Sequence, residues 1–266
     1  MPQYQALSKN IHAGKHFKRY SSYQFASHQS IVPLVQQELA KASMSLAIGF
    51  VQHGEGFMPV AVQGLLPGKN LLVAPDGRWL GEYTPAAYRG HPFALLPNEL
   101  GQWVLCVDTD SGLLSDTEGE ALFDVEGEPT QTVKEVISFL EQIAHNRQVT
   151  LAICKVLAEH QLIQPWPIKV QMAEGEKAVT GLFRIDEAAL SQIDASALKA
   201  LQHAGALQMA YIQLLSMQHL GKLAEWAKLH AQHEQSHAKT ALPVNSKGEL
   251  DLEFLNQSGT LSFASL

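Results

Sequence analysis

The chain is poor in several of the residue patterns that would make a function easy to read. It has two cysteines in 266 residues, Cys106 and Cys154, and no Cys-x-x-Cys pair or cysteine–histidine spacing that would frame a zinc site. Each lies in an apolar pattern, which predicts two reduced, buried thiols and excludes a disulfide scaffold. Basic charge is also scarce: 19 Lys and Arg stand against 26 Asp and Glu, a net charge of −7. Non-specific nucleic-acid binding, which needs a cationic face, is therefore excluded, and no nucleic-acid partner is assigned. No run of about eighteen apolar residues occurs, so no membrane-spanning helix is predicted. No apolar stretch follows the N-terminal charges, so the expected location is the cytoplasm, with surface association by export without an N-terminal signal as the alternative. GxGxxG, Walker and GxSxG motifs are missing, and no cofactor is assigned.

What is present is a globular composition, 46% apolar and 17% charged. Residues 1–29 are polar and aromatic without a period and read as an N-terminal arm. Residues 30–242 read as one domain. A helical pattern opens at Ser30 and runs to about Ala42, with Val32, Val35 and Leu39 on one face. From Ser45 to Phe123 the signals are β: apolar runs at 46–51 and 60–65 about Gly54 and Gly56, a turn at Asp76-Gly77, and a strand from Trp103. Thr130 caps a long helix with a break expected near Asn146, ending before Pro165-Trp166-Pro167. A second hairpin covers 168–182, and its Ala178-Val179-x-Gly181-Leu182 resembles Ala61-Val62-x-Gly64-Leu65, so residues 46–65 and 168–182 are candidates for an internal repeat. Asp186 and Asp194 are expected N-caps. A last helix runs from Ala206 to about His233, with Leu207, Tyr211, Leu214, Leu215, Met217 and Leu220 as its apolar stripe and Gly221 as its bend. Residues 243–266 read as a C-terminal hairpin or arm. The fold class is α+β: an antiparallel β-rich N-terminal half, then helices, with the second hairpin packed on the same core.

The best candidate site is a cluster of Asn70, Arg78, Trp79, Tyr83, Tyr88 and Arg89. Arginine offers a planar fork for carboxylate or phosphate, and the aromatics offer stacking faces. The turn at Asp76-Gly77 and the stop at Pro85 are expected to gather Arg78, Tyr83, Tyr88 and Arg89 around one concave patch with Asn70 at its rim. His230, His233 and His237 share a helical face at metal-ligand spacing, but the segment is polar and lies at a helix end. It reads as solvated, and no metal is assigned. Asp108, Asp110, Asp116 and Glu118 lack the oxygen-ligand spacing of a calcium loop.

The order of several short motifs resembles the SapC family of bacterial proteins. The carriers are His12-Ala13-Gly14, the Asn70 that follows a glycine turn, Gly77-Arg78-Trp79, Tyr83-x-Pro85, and Tyr88-Arg89 ahead of Pro92-Phe93. Leu122-Phe123-Asp124, Gly127-Glu128-Pro129, Gly181-Leu182, Asp186-Glu187 and the stretch from Leu198 to Leu207 follow in order. Gly90-His91 departs from the bulkier or charged pair more usual there. The family is not the transporter permease that shares its name, which would need several spanning helices. The resemblance implies a soluble accessory tied to surface layers and encoded beside outer-membrane receptors, halogenase-like proteins and cupin-like oxygenases. Its expected partners are a bacterial surface or outer-membrane protein or a nearby-encoded modifying enzyme. An accessory that binds through the aromatic–arginine patch is thus one expectation; an enzyme of unrecognised type in the same pocket is the alternative.

Overall fold

A computed structural model describes residues 2–172 and 175–240. In chain order its elements are β1 (Tyr4–Ala6), α1 (Lys9–His12), β2 (His16–Phe17), β3 (Ile31–Pro33), α2 (Gln36–Ala42), β4 (Ala47–His53), β5 (Gly56–Val62) and α3 (Ala86–Arg89). There follow β6 (Phe93–Pro97), β7 (Trp103–Asp108), β8 (Leu114–Ser115), β9 (Glu120–Ala121), the 29-residue α4 (Gln131–Glu159), β10 (Ile163–Pro165), β11 (Ile168–Met172), β12 (Gly175–Val179) and β13 (Phe183–Ile185). The chain continues with α5 (Glu187–Ser191), α6 (Ala195–His203), α7 (Ala206–Ser216) and α8 (Leu220–Thr240). The fold is α+β, with antiparallel sheets in the N-terminal half and the helices concentrated after them. Residues 1–223 make one compact unit, and a second begins at Ala224, inside α8. The expected hairpin at 243–266 lies outside the described residues.

The first unit is built on a five-stranded sheet in the order β10-β13-β4-β5-β3. Its centre is the β4–β5 hairpin, closed by Gly54-Glu55 with Gly54 at φ +57, a conformation glycine takes without a Cβ penalty. Ile31 to Pro33, expected in a helix, instead form the edge strand β3. The β-branched Ile31 and Val32 favour it, and an edge is where a proline without an N–H is tolerated in a sheet. The helix begins only at Gln36.

Residues 4–17 do not lie apart as an arm. β1 pairs with β7, and β2 lies between β8 and β9. The basic start and the acidic loop, separate in the sequence, face each other across these strands. Lys15 pairs with Asp116, Lys18 with Glu118 and Arg19 with Glu120, all at exposed positions. Phe17, Phe93, Val107, Leu122, Phe123 and Val133 form a buried cluster beneath them, so α4 packs on this part of the molecule.

α4 passes Asn146 without a break: the Asn146 Nδ2 donates to the Gln142 carbonyl, and Thr150 Oγ1 donates to the Asn146 carbonyl. Thr150 Oγ1 also accepts from the Gln36 N–H at 2.8 Å, which fastens the start of α2 to α4. Thr130 does precede α4, but its hydroxyl donates to the Ala121 carbonyl rather than accepting from the helix. Asp186 and Asp194 cap α5 and α6 as expected.

The expected apolar stripe of α7 is displaced. Tyr211 and Leu215 are exposed, whereas Met209, Ala210, Gln213 and Ser216 are buried. The reason is polar. β4 and β13 pair only at Phe50 and Phe183, and beyond that point the Gln213 side chain joins them. Its Nε2 donates to the Ile48 carbonyl and its Oε1 accepts from the Ile185 N–H, while Ser216 Oγ accepts from the Ile48 N–H. Two side chains thus replace ladder bonds that the sheet would otherwise leave unmade in the core. A 3₁₀ turn over Met217–His219 separates α7 from α8, before Gly221 is reached.

Candidate functional site

The turn at Asp76-Gly77 is held by the segment before β3. Gly77 has φ +85, a Cβ there would run into Ser22 Oγ, and the Tyr23 N–H donates to the Gly77 carbonyl at 2.7 Å. Val73 and Trp79 bridge across the turn. Arg78 projects outward, and its Nε donates to Asp76 Oδ2 at 2.7 Å. That contact holds the Asp76 carboxyl below its ordinary range. Arg78 therefore has its own acid two residues away and lines neither of the hollows beside Arg89.

Asn70 and Tyr88 are internal. Asn70 Nδ2 donates to the Ala26 carbonyl and to Gln63 Oε1, its Oδ1 accepts from the Leu72 N–H, and Tyr88 OH donates to Gln63 Oε1 at 2.6 Å. Burial pushes the Tyr88 phenol up in pKa. These two residues brace the loop beneath the surface, so the expected placement of Asn70 at a rim and Tyr88 on the patch is corrected: a hydrogen-bonded pair on Gln63 draws both inward.

The site proper is held by Glu38. This buried carboxylate accepts from the Val35 N–H at the start of α2, from Tyr83 OH at 2.9 Å and from the Ala86 N–H at the start of α3. It fixes α3 against α2, and α3 delivers Arg89. The Tyr83 phenol is pushed up to about 12 by burial and by the neighbouring Glu38 charge. Arg89 Nε and Nη2 donate to the Thr84 carbonyl at 3.0 and 2.8 Å, and the guanidinium carbon lies 5.1 Å from the centre of the Tyr83 ring. No carboxylate pairs with Arg89 among the described residues.

Two hollows open on either side of Arg89 and Phe139. The larger, about 510 Å³, has the buried Phe17 and Phe93 in its lining, Tyr20, Tyr23 and His91 on one wall, and α4 on the other. The smaller, about 230 Å³, includes Glu38, Lys41, Tyr83, Gln142 and Asn146. Gly90 lets α3 approach α4: a Cβ there would stand 2.7 Å from Leu140 Cδ2.

The wall of the larger hollow belongs to a network of rings. Phe25 stacks on His91 at 3.9 Å, Tyr20 packs edge-on against Tyr23, Phe25 and His91, and Tyr23 leans on Trp79 at 5.3 Å. Trp79 is anchored by Nε1 donating to the Tyr83 carbonyl. Burial pushes Tyr20 up to about 12 and lowers the His91 pKa, the latter opposed by Asp108. Burial thus favours the uncharged forms of Tyr20 and His91, and the cationic groups in the lining of this hollow are Arg19 and Arg89.

Of the six sequence-selected residues, Tyr83 and Arg89 line the hollows and Trp79 supports the aromatic wall. Arg78, Asn70 and Tyr88 do not join them. Sequence reasoning missed Glu38, Tyr20, Tyr23, His91 and Phe139. Only Tyr20 and Tyr23 had a signal, the density of aromatics between Phe17 and Phe25. His230 is buried rather than solvated. The helix carries on through His233-Glu234-Gln235-Ser236-His237, which has the HExxH spacing of zinc-binding helices, but the side chains from His233 onward lie outside the described residues. Among the described residues no group of three His, Cys, Asp or Glu gathers to hold a metal ion, and no helix is long and apolar enough to cross a membrane.

The SapC family model matches residues 7–223, which include every residue of the two hollows, and the chain belongs to that family. No curated protein and no solved structure matches the chain.

Proposed function

We propose that this SapC-family protein is an accessory that binds a protein partner, in the handling or modification of bacterial surface or outer-membrane proteins, through the aromatic–arginine hollows. The observation that carries this reading is Arg89. Its guanidinium is fixed on one edge by the Thr84 carbonyl and on one face by Tyr83, it has no acidic partner among the described residues, and it stands where two hollows meet. A cation pre-oriented in this way is suited to a charged hydrogen bond with an incoming acid, and the aromatic wall is suited to a buried anchor residue. Nothing comparable favours the enzyme reading. Burial favours the uncharged forms of Tyr20 and His91, and His91 is engaged face to face with Phe25. The reading places the protein in the cytoplasm, acting before its client reaches the surface.

The test is affinity capture from the envelope and soluble fractions of the native cell, using the immobilised full chain and its Arg89→Ala variant. A defined set of proteins bound by the first and lost from the second, at unchanged melting temperature, supports recognition through this site. Identical sets on both would remove it.

A further inference from the structure

The two hollows have a common axis. The larger one takes Thr132, Glu135, Val136 and Phe139 from α4, and the smaller takes Phe139, Gln142, Ile143 and Asn146. These positions recur at helical spacing along one face of the same helix. Fourteen residues of rise separate Thr132 from Asn146, about 21 Å at 1.5 Å per residue. Arg89 and Phe139 line both hollows, so they mark the place where the two meet rather than the end of either.

Charge is graded along this axis. In the larger hollow Arg19 is engaged by Glu120, with Glu135 also nearby, so the end that carries the rings is close to balanced. At the junction Arg89 has no acidic partner among the described residues. In the smaller hollow Glu38 already accepts three hydrogen bonds, while Lys41 has no acidic partner among the described residues. The sequence of environments is therefore aromatic, then cationic at Arg89, then polar with one ammonium group and one carboxylate, Lys41 and Glu38.

We infer that the groove along α4 takes an extended segment of a partner polypeptide in which an aromatic residue is followed by acidic residues. The ring occupies the larger hollow against Tyr20, Tyr23 and Phe139. The next carboxylate meets Arg89, and a second reaches toward Lys41. Length and charge both select this occupant. A compact aromatic acid fills one hollow and leaves the other empty, whereas about six extended residues at ~3.3 Å each span the groove. An uncharged segment would cover Arg89 without satisfying it, and a buried cation without a partner is costly. The inference rests on the reading of these hollows as a recognition surface and adds the chemical class of what is recognised.

Calorimetry on the full chain tests it with a capped hexapeptide containing one Phe followed by two Glu, and with its counterpart in which Gln replaces both Glu. The Glu peptide is expected to bind about tenfold or more tightly than the Gln peptide, the factor that one charged hydrogen bond supplies. Arg89→Gln should remove most of that difference while leaving the weak Gln-peptide binding in place, and Lys41→Gln should reduce it by a smaller factor. The comparison of peptides on the unmodified protein needs no variant to fold. Equal affinity for the two peptides, or no binding of either, overturns the inference. So does 3-phenylpropionate binding as tightly as the Glu peptide, which would make the larger hollow a site for a small acid. The outcomes stay separable from those of the capture experiment. Arg89-dependent capture without peptide binding leaves the recognition reading standing and removes the peptide class. Peptide binding with Arg89-independent capture does the reverse.

Discussion

Arg78 and Arg89 lie eleven positions apart, the first after a glycine turn and the second at the end of α3, and the structure gives them opposite surroundings. Arg78 follows a glycine turn, and its nearest acid is in the turn itself, so its charge is neutralised at the surface within two residues. Arg89 ends a one-turn helix whose start is tied to Glu38, and that carboxylate is used up by two backbone N–H groups and a phenol. Glu38 lines the smaller hollow together with Arg89 but is hydrogen-bonded to the groups that hold the start of α3. An arginine's function therefore depends on whether a nearby carboxylate is already committed, which spacing along the chain does not reveal.

Removing the platform should give the largest effect. Glu38→Ala leaves the Val35 and Ala86 N–H groups and the Tyr83 hydroxyl without their acceptor, and a loss of about 3 kcal/mol or more is expected in urea unfolding. No single change in the Arg78 loop that removes only a side-chain contact should approach this. An effect below about 1 kcal/mol would mean that water takes over the role of Glu38 and that α3 is not held as described.

How much of this was legible follows the same line. The β4–β5 hairpin could be read because its signals are local: two apolar runs and a glycine with positive φ between them. The caps at Asp186 and Asp194 were legible for the same reason. β3 was misread because Val32, Val35 and Leu39 fit a helical face even though only the last two precede or enter the helix. The buried face of α7 was misread because hydrophobicity pointed to Tyr211 and Leu215, whereas the sheet needed the amide of Gln213. In the site, Arg89 and Tyr83 were found by their chemistry. Glu38 and Tyr20 were not, since each reaches the site from a segment more than forty residues away in sequence. The hairpins within residues 46–65 and 168–182 differ in setting: the first is central in a five-stranded sheet, and the second forms a two-stranded sheet of its own. We keep common ancestry as a proposal.

pH should separate the two loops next. The Tyr83 phenol is raised from 10.0 to about 12 in the folded protein, so the unfolded chain loses that proton first. The stability this contributes is complete below pH 10 and falls as pH rises toward 12. Tyr83→Phe should flatten the alkaline limb of a stability–pH curve. Asp76 behaves in the opposite sense. Its pKa lies below the ordinary 3.8 because Arg78 hydrogen-bonds to it, so its contribution is present above that value and is lost as pH falls through the depressed one. Arg78→Ala should therefore alter only the acid limb. A change in the alkaline limb would show that the loops are coupled.

The smallest effect is expected from Arg78→Ala at neutral pH. Its ion pair is exposed on both sides, where water and salt screen it. Urea unfolding should show little or no change, and partner binding should not move at all.

The central claim is that Arg89, and not Arg78, is the recognition arginine. Its most direct test is the equilibrium affinity of the principal captured partner for the unmodified chain, Arg78→Ala and Arg89→Ala, measured side by side on protein of matched melting temperature. The account predicts no change for Arg78→Ala and a loss of about 1.5–3 kcal/mol for Arg89→Ala. Equal losses in the two variants, or a loss confined to Arg78→Ala, would contradict it.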